Sequence, residues 1–312
     1  MTDFFRQRVV LAKAETVYGT DPVPTGAADA ILCSEPTVTP LNANQQNRDL
    51  LYPTLGRSPD ILVGKHVIVS FAVEMAGAGA AGTVPAYGAL LRACGFAETV
   101  NALTDVQYDP ATGGSDSVAI YFHAGGTRHA LLGARGNVEA RMPNNGVPNL
   151  LFTFTGLFVA PVAAAQPTAD FSGFRDPLTV SNANTPDFNL HGFAAIMESF
   201  NANVGNAVVH RDRVNSESVL ITGRQGAGSV SIESPAIGTK DYFAAAAGEP
   251  PTLGALQMIH GTAAGDIFEI TAPAVQLSNP TYADSDGVMM LNMDLGFTRG
   301  PAGDDEIKFT VR

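Results

Sequence analysis

Alternation of apolar and polar residues is the dominant pattern along this chain. From Val67 to Glu74, Val67, Val69, Phe71 and Val73 fall on one side of an extended segment. In Leu150–Thr155, Phe152 and Phe154 alternate with Thr153 and Thr155. A strict period of two predicts strands with one face on a core. Helical periodicity is scarce. The one clear candidate runs from Pro85 to Ala93, with Thr83 placed to cap it, Pro85 to begin it and Gly95 to end it. Glycine, proline, threonine and asparagine crowd the intervals, as expected for many short strands joined by turns. The fold class read from this pattern is mainly β, with a final strand over Ile307–Val311.

The pattern also repeats. Shifting the chain by 159 residues aligns Leu41–Glu74 with Phe200–Glu233 without a gap, with seven identities in 34 positions, where composition alone gives roughly two. Asn42-Ala43-Asn44 meets Asn201-Ala202-Asn203, and Gly64, Ser70 and Glu74 meet Gly223, Ser229 and Glu233. Two further blocks follow in the same order. Pro85–Leu90 with Gly95 resembles Pro251–Leu256 with Gly261, which sets Cys94 against His260. Gly146-Val147 with Leu150, Phe152 and Phe154 resembles Gly287-Val288 with Leu291, Met293 and Leu295. The reading is two copies of one β-rich domain, at 1–160 and 171–312. They are joined by a linker at 161–170 centred on the small-residue stretch Pro161–Pro167.

Composition narrows the function classes. The 312 residues carry 18 basic and 30 acidic side chains, a net charge of −12. The hydrophobic content of 45% is ample for a core and argues against global disorder. So acidic a chain is a poor candidate for wrapping nucleic acid by phosphate neutralisation. The excess is uneven: 10 basic against 13 acidic residues before position 161, and 8 against 17 from there on. Two cysteines, Cys33 and Cys94, cannot staple a chain of this length and lack metal-ligand spacing, so synthesis in a reducing compartment is expected. No apolar run is long enough to span a bilayer, and Met1–Arg8 carries no apolar core of a signal peptide.

Several motifs resemble sites and read better as structure. Gly77-Ala78-Gly79-Ala80-Ala81-Gly82 is a literal GxGxxG. Its preceding strand alternates, however, and Thr83-Val84-Pro85 separates the glycines from the helix, unlike a dinucleotide site. Asp284-Ser285-Asp286-Gly287 begins like a calcium loop but lacks the later ligands, and a hairpin turn accounts for it. Asp304-Asp305-Glu306 reads as a solvated turn rather than a carboxylate pair. The six histidines form no metal-ligand spacing; His123 and His129 fit cross-strand packing. Cys94 fits a buried structural thiol. No catalytic residue, cofactor site or metal site is expected.

One feature recurs that core packing does not require. Arg48, Asp49, Tyr52, Arg57 and Asp60 lie on a long segment between the strands near Val38 and Ile61. The corresponding segment of the second copy, read as having the same length, holds His210, Arg211, Asp212, Arg213 and Glu217. Long loops carrying both signs of charge suit either a solvated face or a grip on a neighbour by charge complementarity.

The stretch Val10–Thr25 (VLAKAETVYGTDPVPT), followed by Ala28-Asp29-Ala30-Ile31-Leu32, resembles the N-terminus of tail tube proteins from long-tailed bacteriophages. Gly64-Lys65, the Pro85–Gly95 helix and the closing hairpin are also similar. The resemblance implies a structural virion protein, made in the host cytoplasm, with no catalytic residues. It implies packed antiparallel sheets flanked by a helix, hence two tandem tail-tube-like β-sandwich or barrel domains here, each with a short helix. It further implies rings whose inner strands close a β-barrel, stacked into a tube through which DNA is ejected. The early inter-strand loop of the family reaches toward the adjacent ring, which maps onto Asn42–Asp60 and Asn201–Val219. Expected partners are further copies of the chain, a tape measure protein and double-stranded DNA in the lumen without tight binding, and tail terminator and distal tail proteins. Duplication favours three chains per ring, with six as the alternative, and an acidic lumen to which the second copy contributes more. Two other readings stand beside this one: a head–tail connector or tail terminator ring, and a carbohydrate-binding β-sandwich, which the absence of Trp and the 7 Tyr disfavour.

Overall fold

The computed structural model describes residues 7–312, so Met1–Arg6, and with them most of the segment read as lacking a signal-peptide core, lie outside it. The first half contains β1 (Arg8–Ala14), β2 (Ala30–Ile31), β3 (Ser34–Gln46), β4 (Ile61–Glu74), α1 (Gly88–Ala93), β5 (Phe96–Asn101), β6 (Asp105–Pro110), β7 (Val118–Ala124), β8 (Thr127–Met142), β9 (Asn149–Phe158) and β10 (Val162–Ala163). The second half contains β11 (Asp187–Leu190), β12 (Phe193–Ala194), β13 (Met197–Asn203), β14 (Asn206–Arg213), β15 (Ser216–Arg224), β16 (Gly226–Glu233), α2 (Tyr242–Ala247), β17 (Leu253–His260), β18 (Phe268–Ser285), β19 (Val288–Phe297) and β20 (Lys308–Val311). The chain is mainly β, as its alternation predicts, and its sheets are open.

Eight strands form one continuous antiparallel sheet in the order β3–β4–β9–β8–β13–β16–β19–β18. The junction between halves is the β8–β13 pairing, where Ala202 lies opposite Ala140 and Phe200 opposite Met142. The long strands β8 and β18 run on past this sheet. The far end of β8 pairs with β7, to which β1 adds, and β18 likewise pairs with β17, to which β11 adds. A second crossing joins β20 of the second half to β6 of the first, with Phe309 opposite Tyr108. One hydrophobic cluster fills the space between the layers. It takes in Val69, Phe71, Phe152 and Phe154 from the first half and Phe200, Val230, Met293 and Phe309 from the second. The segment read as a featureless linker contributes β10, whose Val162 pairs with Arg128.

One strand pairing of the first half recurs in the second. Phe71 pairs with Phe152 and Val73 with Leu150; in the second half Val230 pairs with Met293 and Ile232 with Leu291. The 159-residue shift carries Phe71 and Val73 onto Val230 and Ile232, and the Gly146–Gly287 alignment carries Leu150 and Phe152 onto Leu291 and Met293. Both pairings therefore match residue for residue.

Two sequence alignments do not survive. The first is Asn42-Ala43-Asn44 against Asn201-Ala202-Asn203. Val38 pairs with Val69, whereas Ala202 pairs with Gly228, the counterpart of Val69, so Val38 rather than Ala43 stands where Ala202 stands. The arms consequently differ in length: Val69 lies 31 residues beyond Val38, and Gly228 lies 26 beyond Ala202. The second is the helix block. Leu253–His260 is the strand β17, hydrogen-bonded to both β11 and β18, with Leu256, Met258 and His260 buried. The second helix lies earlier, at Tyr242–Ala247, where the Asp241 side chain accepts from Ala244 N at 2.8 Å. An alternating run that finds partners on both edges prefers the sheet over a single helical turn, so Cys94 and His260 are not counterparts.

Candidate assembly surface

The eight-stranded sheet has one face on the core and one polar face. Alternation puts Ser70 of β4, Thr153 of β9, Asn137 and Glu139 of β8, Asn201 of β13, Ser229 and Ser231 of β16, and Asn292 and Asp294 of β19 on the polar side. Side chains link along it from strand to strand: Ser70 Oγ to Thr153 Oγ1 at 3.2 Å, Asn137 Nδ2 to Asn203 Oδ1 across the junction at 2.8 Å, and Asn279 Nδ2 to Asp294 Oδ2 at 2.8 Å. Hydroxyl donation from Ser285 (2.7 Å) and Ser231 (2.8 Å) holds the Glu198 carboxyl below the usual carboxylate range.

Charge on this face is acidic and unequal. The first half presents Glu74 and Glu139, the latter paired with Arg141 at 3.0 Å. The second half presents Glu198, Glu233 and Asp294, and no salt bridge engages these three among the described residues. Arg135 shares the face but is covered. Its guanidinium donates to Val219 O at 2.6 Å and Ser115 O at 3.0 Å and lies 5.0 Å from the centre of the Tyr18 ring. Sequence reasoning placed an acidic surface without naming residues, because alternation alone does not say which face of a strand meets the core of a neighbouring sheet.

The ten charged-arm residues separate into two environments. The second arm is the β14–β15 hairpin, closed at Val214-Asn215, and it folds back over β8 and β9 of the first half. Val219 is fully buried there, and its N–H donates to the Tyr18 hydroxyl at 2.6 Å. His210 stacks on His66 with ring centres 4.9 Å apart and meets Glu217 Oε1 at 3.0 Å. Arg211, Asp212 and Arg213 stay exposed toward the tip. Asp212 lies directly opposite Glu217, a like-charge pair that disfavours the hairpin unless an external cation answers it. The first arm, residues 47–60, has no regular structure. Arg48, Asp49 and Tyr52 are exposed, Leu51 is fully so, and Arg57 hydrogen-bonds Asp60 within the loop. The structure thus joins His210 and Glu217, and Arg57 and Asp60, but brings no residue of one arm to the other.

The other motifs resolve as packing. Gly77 fits because its backbone runs against the second half: a Cβ there would stand 2.0 Å from Gly265 O, while Gly79 N donates to that same carbonyl at 2.9 Å. The glycine loop is a close-approach seam between halves, not a phosphate cradle. Asp286-Gly287 forms the turn between β18 and β19. His123 lies opposite Arg128 and His129 opposite Phe122, so the two rings occupy neighbouring pairs on opposite faces. Burial pushes the Cys94 thiol up, and the Cys33 thiol up to about 12, so neither is a ready nucleophile. Among the described residues no three His, Cys, Asp or Glu side chains stand close enough to hold a metal, and no helix is long and apolar enough to cross a membrane.

A polar sheet face, uncovered strand edges and charged arms are features of a wall element rather than of a reaction centre. Comparison with known proteins agrees. The sequence profile of the phage tail tube protein family matches residues 6–298, nearly the whole chain and both of its halves. No individually curated protein matches. The chain therefore belongs to the phage tail tube protein family, which makes it a structural component of the virion tail and not an enzyme.

Proposed function

We propose that the chain is a duplicated tube subunit, that three copies close into a ring of six similar halves, and that stacked rings form the conduit for DNA ejection. The observation carrying this reading is the residue-for-residue match between the β4–β9 and β16–β19 pairings inside one uninterrupted eight-stranded sheet. Eight strands from each of three chains make a barrel of twenty-four. At about 4.8 Å between strands, that circumference corresponds to a backbone diameter of at least ~37 Å. This lies well beyond the 16–18 strands at which barrels enclose an aqueous channel.

The polar face of the sheet then lines the lumen, with Glu74 and Glu139 from each first half and Glu198, Glu233 and Asp294 from each second half. Carboxylates repel phosphates, and short hydroxyl and amide side chains offer neither stacking surface nor cations to a passing duplex. The tape measure protein occupies this bore before ejection. The exposed arms, Arg48–Asp60 and the hairpin tip at Arg211–Arg213, meet the neighbouring ring, and terminator and distal tail proteins cap the ends of the stack.

A connector or terminator would share the ring and stop there. Electron microscopy of the purified protein separates the readings: long tubes are expected, single rings indicate a connector, and dispersed monomers indicate a carbohydrate-binding module.

A further inference from the structure

The seam between the halves shows what each half offers a neighbour. Strand β13 is bonded to β16 on one side and to β8 on the other, where it takes the edge that β8 leaves free once β7 has ended. The same two kinds of edge occur once more in the chain. Strand β3 is bonded to β4 on one side, and among the described residues nothing pairs with its other side. Strand β18 is bonded to β19 throughout Val275–Ser285, while β17 covers its opposite edge only as far as Gln276. The edge beyond, through Ser285, has no strand paired to it among the described residues; helix α2 packs on β18 through Phe243 and Tyr282.

The internal registers fix how these edges correspond. Val38 pairs with Val69 as Ala202 pairs with Gly228, so Val38 stands for Ala202. Ala140 pairs with Leu150 as Tyr282 pairs with Leu291, so Tyr282 stands for Ala140. Inside the chain Ala202 lies opposite Ala140. From this we propose that the free edge of β18 in one copy pairs antiparallel with the free edge of β3 in a second copy, with Tyr282 opposite Val38, Ala283 opposite Thr37 and Thr281 opposite Thr39. The inference rests on the tube reading above and names the seam by which its subunits join.

Exposure agrees with this assignment. Ala140 and Ala202 are fully buried within the chain, whereas Tyr282 is 55% exposed with its ring against Phe243, and Val38 is partly covered. The hydrogen-bonding pattern agrees as well. Val204 N donates to Val138 O, so Val204, and by alternation Ala202 and Phe200, direct their backbone groups toward β8. On β3 Val38 stands for Ala202; Pro36 and Pro40 flank it, each within a register irregularity of the β3–β4 ladder, and the Pro36 carbonyl accepts from Arg8 Nη1 at 2.7 Å. A proline has no N–H to give and is tolerated at a sheet edge where its nitrogen faces outward. Over residues 36–40 the edge of β3 thus offers one donor, the Val38 N–H, between two prolines. It accepts a partner in one register and resists indiscriminate pairing with other strands. Val38 and Tyr282 form the hydrogen-bonded pair; Thr37 and Ala283 form an adjacent non-hydrogen-bonded pair, in which Cα atoms stand about 4.5 Å apart, within disulfide range.

The test is oxidative cross-linking of assembled tubes carrying Cys33→Ser, Thr37→Cys and Ala283→Cys, resolved on a denaturing gel. The expected result is a ladder of linked chains ending at three, and no ladder when Ser285→Cys replaces Ala283→Cys. A ladder ending at six keeps the seam and overturns the three-chain ring. Three-fold rings without a ladder, or linkage of the Ser285→Cys control instead, overturn the seam and leave the ring reading standing. Hydrogen exchange on the unsubstituted chain gives a second measure that needs no variant to fold. The amides of Val38 and Tyr282 are expected to slow by roughly 100-fold or more between monomer and tube; rapid exchange in the tube contradicts the pairing.

Discussion

Strands β3 and β13 occupy equivalent places and meet different fates. The outer edge of β13 is sealed by β8 of the same chain, and there the sequence supplies Phe200, Ala202 and Val204, each with a backbone donor. The outer edge of β3 pairs with no strand among the described residues, although Arg8 donates to the Pro36 carbonyl at 2.7 Å, and there the sequence supplies Pro36, Val38 and Pro40. The arms differ in the same sense. The β14–β15 hairpin is ordered over the first half, while residues 47–60 have no such seat and remain irregular. The lesson is that the differences between the halves follow the presence or absence of a neighbour more closely than they follow any difference in chemistry. A seam formed during folding is written with apolar side chains and full backbone pairing. The edge proposed for assembly is written with fewer donors.

A carboxylate placed on each edge separates the two most strongly. Ala202→Asp sets an unpaired charge at a fully buried site in the internal seam, which costs several kcal/mol. Circular dichroism is expected to show loss of the folded chain. Val38→Asp, at the equivalent place on the open edge, is expected to leave a folded monomer by the same measurement and to abolish tubes by electron microscopy. Equal effects on folding would remove the distinction between the edges.

Next comes the glycine seam. Gly77→Ala drives a methyl into the backbone of Gly265 and is expected to cost about 1–3 kcal/mol by denaturant unfolding. Gly56→Ala in the unseated arm meets nothing within 4 Å and is expected to be neutral or to stabilise slightly. A comparable effect comes from Arg135→Ala, which removes the guanidinium that holds Val219 and Tyr18. It is expected to lower the melting temperature by an amount equivalent to about 1–3 kcal/mol and to free the hairpin to proteolysis. Arg57→Ala, its charged counterpart in the exposed arm, is expected to change monomer stability by less than about 1 kcal/mol.

The last perturbation is shared by both halves. Burial lowers the pKa of His123 and His129 in the first half and of His191 and His260 in the second. For a group whose folded pKa is depressed, the unfolded chain binds more protons, so stability rises with pH. Stability is expected to be full above the ordinary histidine value of about 6.5 and to fall as the pH drops through and below it, as read by denaturation at several pH values. His123→Gln or His260→Gln should flatten that dependence.

Much of the fold was legible in the sequence because period-two alternation is a local signal. The strands at Val67–Glu74 and Leu150–Thr155 and the alignment of each with its counterpart required nothing beyond spacing, whereas their pairing with one another emerged only in the fold. The second helix was misplaced because Pro251-Thr252-Leu253-Gly254 reads as a helix start until the partner strands β11 and β18 are known, and those lie far away in sequence. The Asn-Ala-Asn match misled for a related reason: three identical residues outweigh a five-residue slip that only pairing reveals. On the candidate surface, the two charged segments and the acidic balance of the chain were readable, but the members of the polar sheet face were not. Whether Thr153 or Phe154 faces solvent follows from which side a second sheet covers, and that is set by the fold as a whole.

The number of chains that close one ring decides the proposed architecture. Counting subunits in the symmetry of an imaged tube tests it directly. Three chains per ring, a continuous barrel of twenty-four strands and β3 of each chain against β18 of the next are the expected result. Six identical chains per ring, with one half of each lying outside the wall, would contradict it.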